Sequence, residues 1–222
     1  DRNIEWVKAV NSGASLKEYY HPSAMLLFEN KWYLTQEEIQ SQLRNLNIKE
    51  RVVLEVYENS SNEIFEVGEY IIADGTVLMY LTAFTNEDMW FRQLEIIYEK
   101  SDSVADSQAI EEIIVGQDKK WKEMISLKNV EQLVETLFWE DARYFNLART
   151  EYTTTYKELL KEYAWLESPN DFSVKTVDYH SVSNEVIYLI GQYQISGGQG
   201  LYTLILTKNE DNVWKYTLDA NY

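Results

Sequence analysis

The sequence predicts an α+β chain made of the same unit twice, and three observations predict it. Short motifs recur at one constant displacement: Asn86-Glu87-Asp88 returns as Asn209-Glu210-Asp211, and Gly68, Tyr70 and Gly75 return as Gly191, Tyr193 and Gly198. Within each half, apolar residues first follow a helical period and then a period of two. Between the halves, residues 101–106 are short, polar and acidic, as a linker is. Domains at 1–100 and 107–222 follow, each running helices first and strands second without βαβ alternation.

The elements can be taken in order. Leu16, Tyr19 and Tyr20 are spaced for a helix ending at His21-Pro22, where a cationic His can bond the last carbonyls. Thr35-Gln-Glu-Glu38 fits a capping box, in which a Thr hydroxyl and a Glu carboxylate satisfy orphan N–H groups. It opens a helix whose stripe is Ile39, Leu43 and Leu46. Strands are expected at 51–58, 63–73, 76–85 and 89–99, turning at 59–62, at Asp74-Gly75 and at 86–88.

In the second half, Ile110, Ile113, Ile114, Trp121, Met124 and Ile125 keep helical spacing in a long helix that Gly116 weakens or bends. Val130, Leu133, Val134, Leu137 and Phe138 form the next helix. Thr155-Tyr-Lys-Glu158 caps a third, which carries Tyr156, Leu159, Leu160 and Tyr163. Strands are expected at 173–180, 185–195, 200–208 and 213–219, turning at 181–184, at Gly197-Gly198 and at 209–212. Further upstream Trp6 matches Trp121, Ala24 matches Ala142, and Thr35 with Glu38 matches Thr155 with Glu158.

Composition excludes several functions. The 222 residues are 45% hydrophobic, enough to close a core, and hold no Cys and only His21 and His180, so thiol chemistry and thiolate or His-rich metal centres drop out. A net charge of −17, with neither half basic, repels phosphate backbones and anionic lipid and argues against nucleic-acid binding. No apolar run approaches the roughly 20 residues that span a bilayer. There is no phosphate loop, Gly-x-Ser-x-Gly elbow, His-Glu-x-x-His or EF-hand, and no cofactor or metal is expected. The chain begins at Asp1 rather than Met, which implies upstream processing, and a cysteine-free chain suits either compartment; export is favoured over the cytoplasm.

The segment Leu16-Lys-Glu-Tyr-Tyr-His-Pro-Ser-Ala-Met-Leu-Leu-Phe28, preceded by Asn11-Ser-Gly13 and followed by a capped helix and a long meander, resembles the nuclear transport factor 2-like superfamily. That superfamily includes ketosteroid isomerases, SnoaL-like cyclases and many small-molecule-binding proteins. The resemblance, which covers nearly the whole chain twice, implies two tandem cone-shaped domains, each with helices packed in a strongly bent antiparallel sheet around a pocket. Because single-domain members often pair through their sheets, it also implies an intramolecular pseudo-dimer, possible as a monomer. In the isomerases a carboxylate base lies about four residues past the alanine. That register falls on Phe28 and Asn146, neither of which abstracts protons as a carboxylate does, and on Glu29 only after a slip to the opposite strand face.

Candidate site residues remain. Asp178 and His180 share a strand face and are the best acid/base-looking pair, with an exposed strand end beside a turn as the simpler reading. Glu66 and Glu95 stand in apolar strands, where either a dry pocket or a solvated face explains them; Glu95 is a further acid/base candidate. Aromatics make up 14% of the chain, and Tyr20, Phe28, Tyr57 and Tyr70, with Trp139, Tyr179, Tyr188 and Tyr193, are candidate pocket walls, although strands favour aromatics for packing alone. The sequence thus points to a non-catalytic protein that binds a small apolar or aromatic molecule, or a protein partner. The alternative is a SnoaL-like lyase or isomerase using Asp178 and His180, or Glu95.

Overall fold

The structure is a computed structural model that describes residues 2–44, 46–101, 106–167, 172–195 and 198–222. The chain divides into two compact units, Asp1–Lys100 and Ser101–Tyr222. Residues 102–105 of the expected linker, and Gly197 of an expected turn, lie outside the described residues.

The first unit runs α1 (Arg2–Ser12), β1 (Tyr20–Phe28), β2 (Lys31–Tyr33), α2 (Gln36–Leu43), β3 (Ile48–Ser60), β4 (Glu63–Ile72), β5 (Val77–Asn86) and β6 (Trp90–Glu99). The second runs α3 (Ser107–Leu127), α4 (Val130–Leu137), β7 (Phe138–Asn146), β8 (Glu151–Tyr152), α5 (Tyr156–Glu162), β9 (Phe172–Ser181), β10 (Val186–Ile195), β11 (Gly198–Lys208) and β12 (Trp214–Asn221). Each unit has a six-stranded sheet, ordered β2-β1-β6-β5-β4-β3 and β8-β7-β12-β11-β10-β9, so the second order repeats the first position by position. The architecture is α+β, two sheets in tandem, each with its own helices.

Local chemistry explains the elements. Both capping boxes form: Thr35 and Glu38 satisfy each other's backbone at α2, and Thr155 and Glu158 do so at α5. Asp106 accepts from the Gln108 N–H to start α3, and Asn129 from the Gln132 N–H to start α4. Gly75, at φ 94°, makes the turn between β4 and β5. Gly68 and Gly191 answer a different need. A Cβ on Gly68 would lie 2.4 Å from the Tyr80 hydroxyl oxygen, and one on Gly191 would lie 2.1 Å from Cζ of Tyr202. In each unit a tyrosine of the adjacent strand lies against the repeated glycine.

Two expectations are corrected. The four-stranded meanders are antiparallel, but β1 runs parallel to β6 and β7 parallel to β12, so the sheets are mixed. Residues 16–20 are not a helix: Tyr20 starts β1, and His21, expected as a helix cap, is a strand residue whose Nδ1 accepts from the Ser23 N–H. Pro22 removes a donor and pushes its predecessor towards extended backbone, which suits a strand. The helix of the first unit lies earlier, at α1, where Trp6 and Val10 are fully buried.

The cores differ in content. In the first unit Trp6, Tyr20, Leu26, Ile39, Leu43, Tyr70 and Tyr80 close together; in the second, Trp121, Leu133, Val134, Phe138, Leu159, Tyr163 and Tyr216 do.

Candidate functional site

The sheet registers place a buried carboxylate at the same point of both units. Tyr80 and Tyr202 lie opposite the matched Gly68 and Gly191, and on the next strand opposite Ile97 and Asn221. Two residues before those stand Glu95, paired with Leu26 and Thr82, and Asp219, paired with Tyr144 and Leu204. Three residues earlier on the same strands, Arg92 pairs with Tyr20 where Tyr216 pairs with Phe138.

In the first unit this point is filled. Glu95 has no exposed surface and accepts from the Tyr20 hydroxyl and, at 2.6 Å, from the Tyr70 hydroxyl. Burial first, and the Glu95 charge second, push both phenols well above their ordinary range. Tyr70 stacks on Tyr80 at 4.3 Å between centroids and meets Trp6 at 5.3 Å. The Arg92 guanidinium lies 4.1 Å from the Trp6 ring centre and 5.0 Å from that of Phe84, and donates to Asn3 Oδ1 at 3.0 Å. Nearby, Glu66 is ion-paired with Arg51 and accepts from the Tyr80 hydroxyl at 2.9 Å. These carboxylates are already engaged by side chains of their own unit.

In the second unit the corresponding space is a cavity of about 220 Å³. Its buried wall holds Trp121 from α3, Tyr163 after α5, and Tyr202, Leu204, Tyr216 and Asp219 from β11 and β12. Half-buried Trp165, Phe172, Val174, Tyr193 and Ile195 complete it with Asp118, Tyr144, Asn146 and Asn221. By the rough measure of 30 Å³ per water it has room for about seven waters, which suits a ligand with one ring. Among the described residues, no Lys, Arg or His lines it.

Asp219 accepts from the Tyr163 hydroxyl. Burial pushes its carboxyl up to about 6, against the pull of hydrogen bonds from Tyr163 and Asn221. Burial also raises Asp118, opposed by Lys122 and a hydrogen bond with Thr176. Tyr144 donates to Asn221 Oδ1 at 3.0 Å, and burial with the Asp219 charge pushes its phenol up to about 12. The rings meet edge to face: Trp121 stands 5.9 Å from Tyr163 at 75° and 6.1 Å from Tyr216 at 78°, and Tyr144 stands 6.0 Å from Tyr163 at 75°. The Trp121 indole N–H is buried with no acceptor among the described residues.

Of the sequence candidates, Tyr193 lines this cavity, and its hydroxyl donates to the Tyr222 carbonyl. Tyr20 and Tyr70 lie in the first core on Glu95, and Phe28 packs against that core. Tyr57 is half-buried on β3, opposite Phe65. Trp139 on β7 donates from its indole to Thr207 Oγ1 at 2.8 Å, Tyr179 is half-buried on β9, and Tyr188 is fully buried within β10. Asp178 and His180 on β9 lie outside the cavity lining, 4.0 Å apart, with the Asp178 side chain 44% exposed and accepting from the Tyr179 N–H. The rest of the cavity wall, Asp118, Asp219 and Tyr163 among it, was missed by sequence reasoning. The available signal was Asp219 itself, an acid between Leu218 and Ala220 in a strand otherwise built for burial.

No family model matches the chain, and no curated protein matches it. Solved structures do resemble it. An NTF-2-like protein of unknown function from Shewanella oneidensis is 18% identical, with 52% of this chain covered, 97% of that one, and a TM-score of 0.39. A domain of unknown function with a cystatin-like fold from Nostoc punctiforme is 11% identical, with 52% and 78% covered and a TM-score of 0.43. Nuclear transport factor 2 from Cryptosporidium parvum is 16% identical, with 45% and 89% covered and a TM-score of 0.35. Each likeness spans about half of the chain.

Proposed function

We propose that the second unit is a binding module that takes a small, partly apolar molecule into its aromatic cavity, and that the first unit is its filled, structural counterpart. The observation that carries this reading is the contrast at one register position: Glu95 is enclosed by its own tyrosines, whereas Asp219 borders about 220 Å³ of space. A cavity with apolar walls and a few convergent polar groups is the usual form of a small-molecule site. The test is residue-resolved NMR of the whole chain titrated with a set of single-ring aromatic compounds of different charge, alongside the cavity-filling variant Leu204→Trp. Binding that perturbs cavity residues and is lost in the variant supports the reading. Absence of any binding, or equal binding by the variant, overturns it.

A second reading rests on Asp219 and Tyr163. A buried carboxyl at about 6 that accepts from a phenol can take up and return a proton near neutral pH. This moves the acid/base alternative from Asp178, His180 and Glu95 to the cavity wall. Incubating carbonyl compounds in D₂O and following carbon-bound deuterium, with Asp219→Asn as the control, tests it; exchange that the variant retains would exclude Asp219 as the base.

A further inference from the structure

We propose that the molecule taken by the second unit is an organic cation: a protonated or quaternary amine carried on a compact apolar body. The inference rests on the reading of the cavity as a binding site and names the chemistry of its occupant.

The first unit shows what the site accommodates when the chain supplies the group itself. There the Arg92 guanidinium sits 4.1 Å from the Trp6 ring centre and 5.9 Å from that of Tyr20, whose hydroxyl donates to the Glu95 carboxylate. A cation, its aromatic faces and a buried acid are thus built into one core. The second unit keeps the tryptophan as Trp121 and the acid as Asp219, but at the register of Arg92 it places Tyr216. The built-in cation is gone and a cavity stands in its region, bordered by Trp121, Tyr163 and Tyr216 rings at steep mutual angles.

Charge points the same way. Asp118 and Asp219 both line the cavity, and no basic side chain lines it among the described residues; Lys122, which acts on Asp118, is exposed one helical turn further along α3. An anionic ligand would enter beside two carboxylates with no counter-charge, at a like-charge cost. A neutral one would add no charge to what these acids already have, Lys122 and Thr176 for Asp118 and the Tyr163 and Asn221 hydrogen bonds for Asp219. An ammonium gains from the carboxylates and from the ring faces together, and quaternary ammonium recognition by aromatic cages uses the same forces. The volume suits a single ring with a short arm, since an apolar cavity of about 150 Å³ holds benzene.

The experiment is calorimetric titration of the whole chain at pH 7.5 with three probes that share one ring: phenethylammonium, 2-phenylethanol and 3-phenylpropionate. The proposal expects the amine to bind at least tenfold more tightly than the alcohol, and the acid more weakly than either. Asp118→Asn and Asp219→Asn should each shrink the amine-to-alcohol affinity ratio at least fivefold. Tyr216→Arg, which restores the first unit's cation, should abolish amine binding. Because Asp118 is only half-buried, its variant keeps the test decisive if either of the others fails to fold. Alcohol binding as tight as the amine, or tighter binding of the acid, overturns the cation while leaving the cavity reading standing. No binding of any of the three overturns both.

Discussion

The two units share a sheet order, two capping boxes, a glycine under a tyrosine and a buried acid at one register, yet in one the acid is enclosed by the unit's own tyrosines and in the other it borders a cavity. In the first unit Tyr20 and Tyr70 converge on Glu95, and Arg92 lies over Trp6. In the second, Phe138 and Tyr216 stand at the registers of Tyr20 and Arg92, the match of Tyr70 is Tyr193 on the cavity wall, and Asp219 keeps one phenol, from Tyr163. The scaffold is thus set by caps, turns and strand pairing, and a few side chains pointing inward decide whether it encloses a protein group or space for a ligand.

The sharpest way to break the comparison is to remove the group each unit is built around. Glu95→Ala leaves the buried Tyr20 and Tyr70 hydroxyls without their acceptor, an expected loss for the first unit of about 1–3 kcal/mol for each phenol. Asp219→Ala leaves one phenol in place of two, so the second unit should lose less in denaturant unfolding followed at the Trp6 and Trp121 indole signals. Equal losses would mean the two acids do the same structural work.

Next in size is a pH effect in the second unit. The Asp219 carboxyl sits at about 6 in the folded unit against an ordinary 3.8, so the folded state holds the proton more tightly. That contribution is complete below about pH 4 and is lost as pH rises through about 6; at about 1.4 kcal/mol per pKa unit it is on the order of 3 kcal/mol. The groups around it are Tyr163, Asn221, Tyr144 and, among the cavity acids, Asp118. Asp219→Asn should therefore stabilise the second unit at pH 8 and gain nothing at pH 3.5, as thermal unfolding at the two pH values would show. An unchanged difference between them would place the carboxyl at its ordinary value.

How much of this was legible in the sequence differs by element. Thr35 with Glu38 and Thr155 with Glu158 declared two helix starts, because capping is local chemistry. The meander strands showed as period-two runs between turn residues. β1 did not: Ala24 to Leu27 are all buried, a continuous apolar run such as a strand covered on both faces produces, and it carries no alternation to read. Asp219 was hidden by the repeat itself. The displacement that matches Gly68 with Gly191 sets Glu95 against Leu218, and the connections between strands differ in length, 87–89 joining β5 to β6 where 209–213 joins β11 to β12, so the true partner lies one residue on. The cavity was illegible because it depends on which rings converge from distant strands.

Smaller effects sharpen the likeness instead. Gly68→Ala would press a Cβ to 2.2 Å from the Val52 carbonyl oxygen as well as onto Tyr80, whereas the three atoms nearest a Cβ on Gly191 all belong to the Tyr202 side chain. Both should destabilise, by about 1–3 kcal/mol, with Gly68→Ala the worse because backbone cannot swing aside. Thr35→Ala and Thr155→Ala should each cost about 1 kcal/mol, equally in the two units, in chemical denaturation.

The most direct measurement is the indole N–H spectrum of the whole chain during titration with phenethylammonium. Trp121 and Trp165 line the cavity of the second unit, while Trp6 is buried under Arg92 in the first. Saturable shifts at Trp121 and Trp165 with Trp6 unmoved are the expected result. Shifts at Trp6, or none at Trp121, would contradict an account in which one copy is filled and the other is open.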